Sequence, residues 1–232
     1  DLVCNMKFDF IDINAACPGF IYGLAVAQKF MQDGSYSKAL VVGGEIVSNR
    51  LDYKDRSTCI LFGDGAGAVI LGHSNGKDDG EILATDIQSD GDLWQLIHVP
   101  AGGSRIPPSH EALQEGLQYL KMQGNDVFKH AVRTLVGSAN KIMAQQGITS
   151  DGIDWFIPHQ ANIRIMEVVA ERLGIPSEKV IVTVHKYGNT SAASIPVALD
   201  EAVRSGQIRK GDLVLVNSFG ACLTWGAALF RY

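Results

Sequence analysis

Residues 8–45, FDFIDINAACPGFIYGLAVAQKFMQDGSYSKALVVGGE, decide the reading of the fold. They run strand, small-residue turn, buried helix, Gly/Ser turn, strand. FDFIDI (8–13) and KALVVGGEIV (38–47) are the strands. The helix extends from about Pro18 to Gln32 and stops at Gly34, in the manner of helices that end on a left-handed glycine. Residues 179–218, KVIVTVHKYGNTSAASIPVALDEAVRSGQIRKGDLVLVNS, repeat this order. Each block leads into a glycine-rich bend and a further strand: FGDGAGAVIL (62–71) and FGACLTWGAALF (219–230). The interval from Cys17 to Ala39 equals that from Ser191 to Leu213, which sets Cys17 opposite Ser191. The repeat predicts a duplicated fold whose two central helices pack about a pseudo-twofold, N-termini on one side. Cys17 would then lie beside the YGNTS turn (187–191).

The intervening chain keeps the alternation of strand and helix. EILATDIQ (81–88), IDWFIP (153–158), VIVTV (180–184), DLVLVNSF (212–219) and TWGAALFRY (224–232) read as strands. Asn125–Gln145 is an amphipathic helix with Val127, Phe128, Ala131, Val132, Leu135 and Val136 on its apolar stripe. NIRIMEVVAERLG (162–174) and AASIPVALDEAVRSG (192–206) are helices, and Pro196 is compatible with the latter only near its first turn. This alternation predicts an α/β chain with a mostly parallel sheet covered on both faces.

The chain has 232 residues, of which 46% are hydrophobic and 19% charged, as in ordinary globular proteins. Its net charge of −5 supplies no global basic field for nucleic acid, so an acidic partner must meet a local basic patch. Cys4, Cys17, Cys59 and Cys222 form no Cys-x-x-Cys pair and no zinc pattern. No signal peptide and no apolar run long enough to span a bilayer is visible, which makes the cytoplasm the expected location. The sequence opens at Asp1, within what reads as the approach to a strand, and the expectation is an N-terminally truncated chain.

Three strand-to-helix junctions carry candidate chemistry, and ligands of open parallel sheets bind beyond the carboxyl ends of strands. Cys17 sits between two alanines and Pro18-Gly19. It is either a small core residue or a nucleophile at a helix cap, where unpaired N–H groups and the helix dipole lower a thiol pKa. Pro18 suits the first helical position, which puts Cys17 at the cap. His159, in PHQANIRIM (158–166), is either a turn histidine or a site residue, and Asn162 is equally a helix N-cap. Asn189, in YGNTSAAS (187–194), is either a turn asparagine or a site residue, with Thr190 or Ser191 as caps.

The segments AACPGF, DRSTCILFGDGAGAVIL, PHQANIRI, YGNTSAAS and FGACLTWGAAL, in this order along essentially the whole chain, resemble the β-ketoacyl-acyl-carrier-protein synthase III family of the thiolase superfamily. The resemblance implies a duplicated thiolase-like αβαβα layered fold. Residues 1–75 would be the remainder of an N-terminal half that carries the nucleophile, its first part missing. Residues 76–232 would be a C-terminal half that carries His and Asn. It implies condensation of an acyl group from acyl-coenzyme A with malonyl-acyl carrier protein, with loss of carbon dioxide, to a 3-oxoacyl-carrier protein that initiates fatty-acid synthesis. Cys17 matches the acylated nucleophile, and His159 and Asn189 the pair that stabilises the enolate. The backbone N–H groups of Cys17 and Ala221 match an oxyanion site, and Phe219 an aromatic beside the nucleophile. Arg56 matches an arginine that stacks on adenine, and Gly124 and Asn162 residues along the pantetheine tunnel. Lys129 and Arg133, four apart on one helix face, and Arg164 are candidates for carrier-protein docking. A homodimer and no cofactor besides the substrates are implied.

Two departures from the family pattern stand out. The family's chains start well upstream, so its first strands and the aromatic partner of Arg56 have no counterpart here. Cys222 occupies a position where many relatives have glycine. Other readings are a truncated, non-catalytic thiolase-fold scaffold, or a related acyl-coenzyme A condensing enzyme of polyketide-type metabolism. A Gly-x-Ser-x-Gly hydrolase elbow is absent from the sequence.

Overall fold

A computed structural model describes residues 9–74 and 80–232. Cys4, Phe8 and the 75/76 boundary lie outside the described residues. In chain order the helices are α1 (Gly19–Met31), α2 (His110–Gln114), α3 (Gly124–Gln145), α4 (Ile163–Leu173), α5 (Val184–Tyr187) and α6 (Ser194–Arg204). The strands are β1 (Lys38–Glu45), β2 (Gly65–Gly72), β3 (Glu81–Ser89), β4 (Ile97–His98), β5 (Lys121–Met122), β6 (Trp155–Pro158), β7 (Leu213–Gly220) and β8 (Thr224–Arg231).

The larger sheet has the order β3-β8-β7-β6. β7 pairs with β6 in parallel, and β8 runs antiparallel to both β7 and β3, so three strands point one way and β8 opposes them. The short bend Ala221–Leu223 between β7 and β8 dictates that reversal, because parallel neighbours need a long crossover. β7 is buried along its whole length, and its alternate side chains serve two cores. Leu213, Leu215 and Phe219 face α3 and α4, together with Leu135, Ile142 and Val169. Val214 and Val216 face α1 and α6, together with Phe20, Ile21, Leu24, Ile195 and Leu199. Each such fully buried aliphatic side chain contributes roughly 1.5–3 kcal/mol. The apolar stripe of α3 lies where the sequence spacing put it.

Beyond α1 and α6 lies a second sheet, the antiparallel pair β1-β2, paired over eight residues from Lys38↔Gly72 to Glu45↔Gly65. The layers thus stack as α3/α4, large sheet, α1/α6, small sheet. The expected fifth layer is not present among the described residues. The outer face of the small sheet carries Leu40, Val42 and Ile70, at 64%, 57% and 72% exposure, where a covering layer would sit.

The internal repeat is real but one residue out of the expected register. α1-β1-β2 matches α6-β7-β8, with Gly19 opposite Ser194 and Lys38 opposite Leu213. The turns before the two helices hold left-handed residues at equivalent positions, Ala16 (φ 50°) and Ser191 (φ 52°). Cys17 therefore corresponds to Ala192, not to Ser191. The two helices meet at their starts: a Cβ on Gly19 would come within 3.5 Å of the Ala192 Cβ.

Two expected strands do not form. Residues 9–15 make no ladder, because no neighbouring strand is available to them among the described residues, and Phe10 and Ile11 are exposed. VIVTV keeps one bridge, Phe156↔Val180, with Ile181 N–H donating to Phe156 O at 2.9 Å. The Gln160 amide then stands in for a strand. Its Nε2 donates to Pro158 O and Ile181 O at 2.7 and 3.1 Å, and its Oε1 accepts from the Thr183 and Val184 N–H groups at 2.7 and 3.1 Å. With those donors taken, the chain turns directly into α5. Among the described residues no helix is long and apolar enough to cross a membrane.

Candidate active site

A cavity of about 410 Å³ opens at the carboxyl end of the large sheet. Buried Cys17, His159, Asn189 and Phe219 line it, and exposed Ser57, Gly124 and Arg164 stand at its rim. The three residues expected from separate junctions therefore share one cavity.

Cys17 is held by three local features. Asn14 Oδ1 accepts from Ala16 N–H at 3.3 Å and supports the left-handed Ala16. Pro18, not Cys17, caps α1, so the thiol stands one residue farther from the helix than expected. Gly220, at the end of β7, presses against it: a Cβ there would lie 2.8 Å from Cys17 N and 2.9 Å from Cys17 Cβ. No other residue fits at position 220. The following bend is tied to the same segment, since the Thr224 hydroxyl lies 2.8 Å from Ala15 O and 3.1 Å from Ala221 O and donates its single proton between them.

The thiol is not acidified as its place near a helix start had suggested. Burial pushes Cys17 up to about 11; a hydrogen bond from Ser191 opposes this and the nearby Glu45 charge adds to it. Ser191 Oγ lies 3.6 Å from Cys17 Sγ and 3.1 Å from Glu45 Oε1. Burial raises the Glu45 carboxyl too, against hydrogen bonds from Ser191 and the Ala192 N–H.

His159 follows β6, with its N–H donating to Asn217 O at 2.8 Å. Its Nδ1 lies 2.6 Å from Ser194 Oγ, while its buried Nε2 has no protein partner. Ser194 Oγ also accepts from Gln160 N–H at 3.3 Å, and we assign its own hydroxyl proton to Nδ1. The ring proton then sits on Nε2. Burial holds the ring neutral, with its pKa lowered to about 3. Asn189 uses its Oδ1 to accept from Ser191 N–H at 2.8 Å, which assigns its NH2 as a donor. Its backbone is clamped by FGDGAG: Asn189 N–H donates to Leu61 O at 2.8 Å and Gly63 N–H to Asn189 O at 3.0 Å. Gly188 makes this possible with φ 66°, a conformation costly for any side chain.

The other expected residues are placed less uniformly. Gly124 and Asn162 line the cavity, and Asn162 also caps α4 by accepting from Arg164 N–H at 2.9 Å. Arg56 does not line it; it sits exposed in a turn beside Ser57, which does. Lys129 is paired with Asp126 at 3.2 Å, and Arg133 Nη2 lies 3.0 Å from His130 Nδ1, with Lys129 and Arg133 exposed on the solvent side of α3. Cys222 is exposed with φ 58°, which explains why glycine suits that position. Glu45 and Ser194 escaped the sequence reading. In the corrected repeat register, Glu45 ends β1 as Gly220 ends β7, and each strand end meets the turn of the other half.

Residues 11–91 match the family described as 3-oxoacyl-[acyl-carrier-protein] synthase III, and residues 143–232 its C-terminal region. The chain is 50% identical over 221 residues to a β-ketoacyl-[acyl-carrier-protein] synthase III of Alkalilimnicola ehrlichii, covering 95% of this chain and 67% of that protein. It is 48% identical over 228 residues to the synthase III of Xanthomonas campestris, covering 98% of this chain and 68% of the relative. The crystal structure of 3-oxoacyl-[acyl-carrier-protein] synthase III from Aquifex aeolicus superposes on all of this chain and 70% of its own, with a TM-score of 0.90 and 42% identity. These matches carry the thiolase-like fold with them. The chain belongs to the 3-oxoacyl-[acyl-carrier-protein] synthase III family.

Proposed function

We propose that the protein performs a decarboxylative Claisen condensation of an acyl-coenzyme A primer with malonyl-acyl carrier protein. Carbon dioxide is released and a 3-oxoacyl-carrier protein forms, which initiates fatty-acid biosynthesis. The observation that carries this reading is the pair of side-chain donors, His159 Nε2 and the Asn189 amide, on the same cavity as a buried cysteine.

Each half-reaction makes its own demand. In the first, Cys17 Sγ attacks the acyl thioester, coenzyme A leaves, and an acyl-cysteine remains. The developing oxyanion takes hydrogen bonds from the Cys17 and Ala221 N–H groups, and the seating of Gly220 on the Cys17 backbone supports that role. In the second, the malonyl carboxylate departs and its electron pair passes into an enolate. Two neutral donors, both on buried side chains, stabilise the enolate oxygen. The enolate carbon then attacks the acyl-cysteine carbonyl and releases the thiolate. Loss of the carboxylate itself generates the carbon nucleophile, so the reading includes no cofactor besides the two thioesters.

Gly124 and Asn162 would receive the pantetheine arm and Arg56 the adenine, with Phe219 beside the acyl group. Arg164, Lys129 and Arg133 would meet the acidic carrier protein. The same reading includes a homodimer, a cytoplasmic location, and two thiolase-like halves that divide near residue 75. The test is to incubate the protein with acyl-coenzyme A and labelled malonyl-carrier protein and to follow carbon dioxide and product. Release of both in equal amounts is expected. Carbon dioxide without condensed product, or neither, would overturn the reading.

A further inference from the structure

Cys17 presents a proton problem that the catalytic trio leaves unsolved. The thiol is buried and protonated at neutral pH, and the contact with Ser194 assigns the proton of the His159 ring to Nε2, which is buried and has no hydrogen-bond partner among the described residues. In that form His159 donates and cannot accept the thiol proton. A different chain of contacts leads away from Sγ. Ser191 Oγ lies 3.6 Å from Cys17 Sγ and 3.1 Å from Glu45 Oε1. A serine hydroxyl has one proton, and an ionised carboxylate only accepts. With Glu45 ionised, the single Ser191 proton goes to Glu45, the nearer partner, and the Cys17 S–H is directed to Ser191 Oγ; once Cys17 is a thiolate the same hydroxyl turns to Sγ, which is the hydrogen bond that opposes the rise in the thiol pKa. Two features build this arrangement. Ser191 is held in the left-handed region at φ 52°, a conformation that a non-glycine residue adopts at a cost. Glu45 is fixed by the Ala192 N–H in addition to Ser191.

We propose that Glu45, acting through the Ser191 hydroxyl, accepts the proton of Cys17 as the thiol attacks. The S–H bond breaks, the proton passes to Ser191 Oγ, and the hydroxyl's own proton passes to Glu45 Oε1. Sγ gains the electron pair that forms the new bond to the acyl carbon, and coenzyme A departs as a thiolate. Negative charge is moved within the site and not created in it. Glu45 is half-buried, so its acquired proton can leave to solvent before the next cycle. Among the described residues, Glu45 from β1 is the titratable group whose charge acts on Cys17, and neutral His159, from the turn after β6, lines the same cavity.

This inference rests on Cys17 as the nucleophile, and its test keeps the two apart. Alkylation by iodoacetamide, a neutral probe, is measured from pH 5 to 10 in the parent, Glu45→Gln and Ser191→Ala, and the alkylated residue is mapped. A thiol that shares its proton with a carboxylate reacts at a pH-independent rate over a window above the carboxylate's titration and below the thiol's own. The parent should show this plateau. Glu45→Gln, which keeps the shape and the Ala192 contact, should lose it, its rate rising about tenfold per pH unit as for an isolated thiol. At the acid end of that window the variant should be slower by roughly tenfold or more. Ser191→Ala should behave likewise while it retains the Glu45 charge. If Glu45 only repels the thiolate, the parent has no plateau and Glu45→Gln reacts faster at every pH. A plateau that survives in Glu45→Gln assigns the acceptor role to His159. Either result overturns the proposal. Label on a cysteine other than Cys17 would instead overturn the nucleophile.

Discussion

Replacement of Asn189 by alanine should separate the two half-reactions. Asn189 Oδ1 accepts from Ser191 N–H at 2.8 Å, and on the proposed reading its amide NH2 donates to the enolate. His159 and Asn189 are both buried, at 4% and 6% exposure, so water cannot readily replace a lost donor. Loss of one oxyanion donor in such a site costs about 3–4 kcal/mol, which is about 10²–10³ in rate. Acylation uses backbone donors and should stay within a few-fold of the parent. The Ser191 N–H also loses its acceptor, which should cost about 1–3 kcal/mol of stability. Asn189→Asp keeps the acceptor for Ser191 N–H and removes the donor, but it also buries a carboxylate, so acyl-enzyme formation is the control for a folded site in both variants. Decarboxylation should collapse in both variants, and thermal stability should fall in both, from the unpaired Ser191 N–H in Asn189→Ala and from the buried charge in Asn189→Asp. The assay follows labelled carbon dioxide and acyl-enzyme separately. Carbon dioxide released at the parent rate by Asn189→Ala would refute the reasoning and leave Asn189 as a turn residue only.

Cys222→Gly should stabilise the protein by about 1 kcal/mol, because a left-handed non-glycine residue is strained and this exposed side chain packs little. For a chain of this size the melting temperature should rise by about 2–4 °C in calorimetry, and no rise would count against the strain. Arg164→Glu should slow use of malonyl-carrier protein at low salt more than Lys129→Glu does, since Lys129 is already paired with Asp126. The difference should fade as salt is added, and equal kinetics for both variants and the parent would reject the patch. His159 is held neutral by burial, with its folded pKa lowered to about 3. The unfolded chain therefore binds the extra proton first as pH falls below about 6.5, and stability should decline by up to about 1.4 kcal/mol per pH unit from there toward pH 3. Denaturant titrations of His159→Gln should lose that share of the slope; an unchanged slope would contradict a neutral His159.

Much of the candidate site was legible because its parts sit at junctions that local sequence marks. Cys17 before Pro-Gly, His159 after an apolar strand and Asn189 beside a glycine each stand out within a few residues. The α3 stripe was legible because 3.6-residue periodicity needs no partner to be seen. What failed depended on partners far away in sequence. FDFIDI has the composition of a strand, but a ladder needs a neighbour, and none is described beside it. VIVTV yields its donors to the Gln160 side chain, which no propensity reveals. The direction of the thiol pKa was not legible because a helix start is a local signal, whereas burial and Glu45 come from the folded whole. Glu45 and Ser194 matter only through what they touch, Ser191 in one case and the His159 ring in the other.

The central claim is that Cys17 carries the acyl group. Mass spectrometry of peptides after brief reaction with acyl-coenzyme A tests it most directly. The account predicts one acyl increment per chain, on the peptide that contains Cys17, and its loss in Cys17→Ala. Acylation of Cys59 or Cys222 in place of Cys17, or an increment that persists in Cys17→Ala, would contradict it.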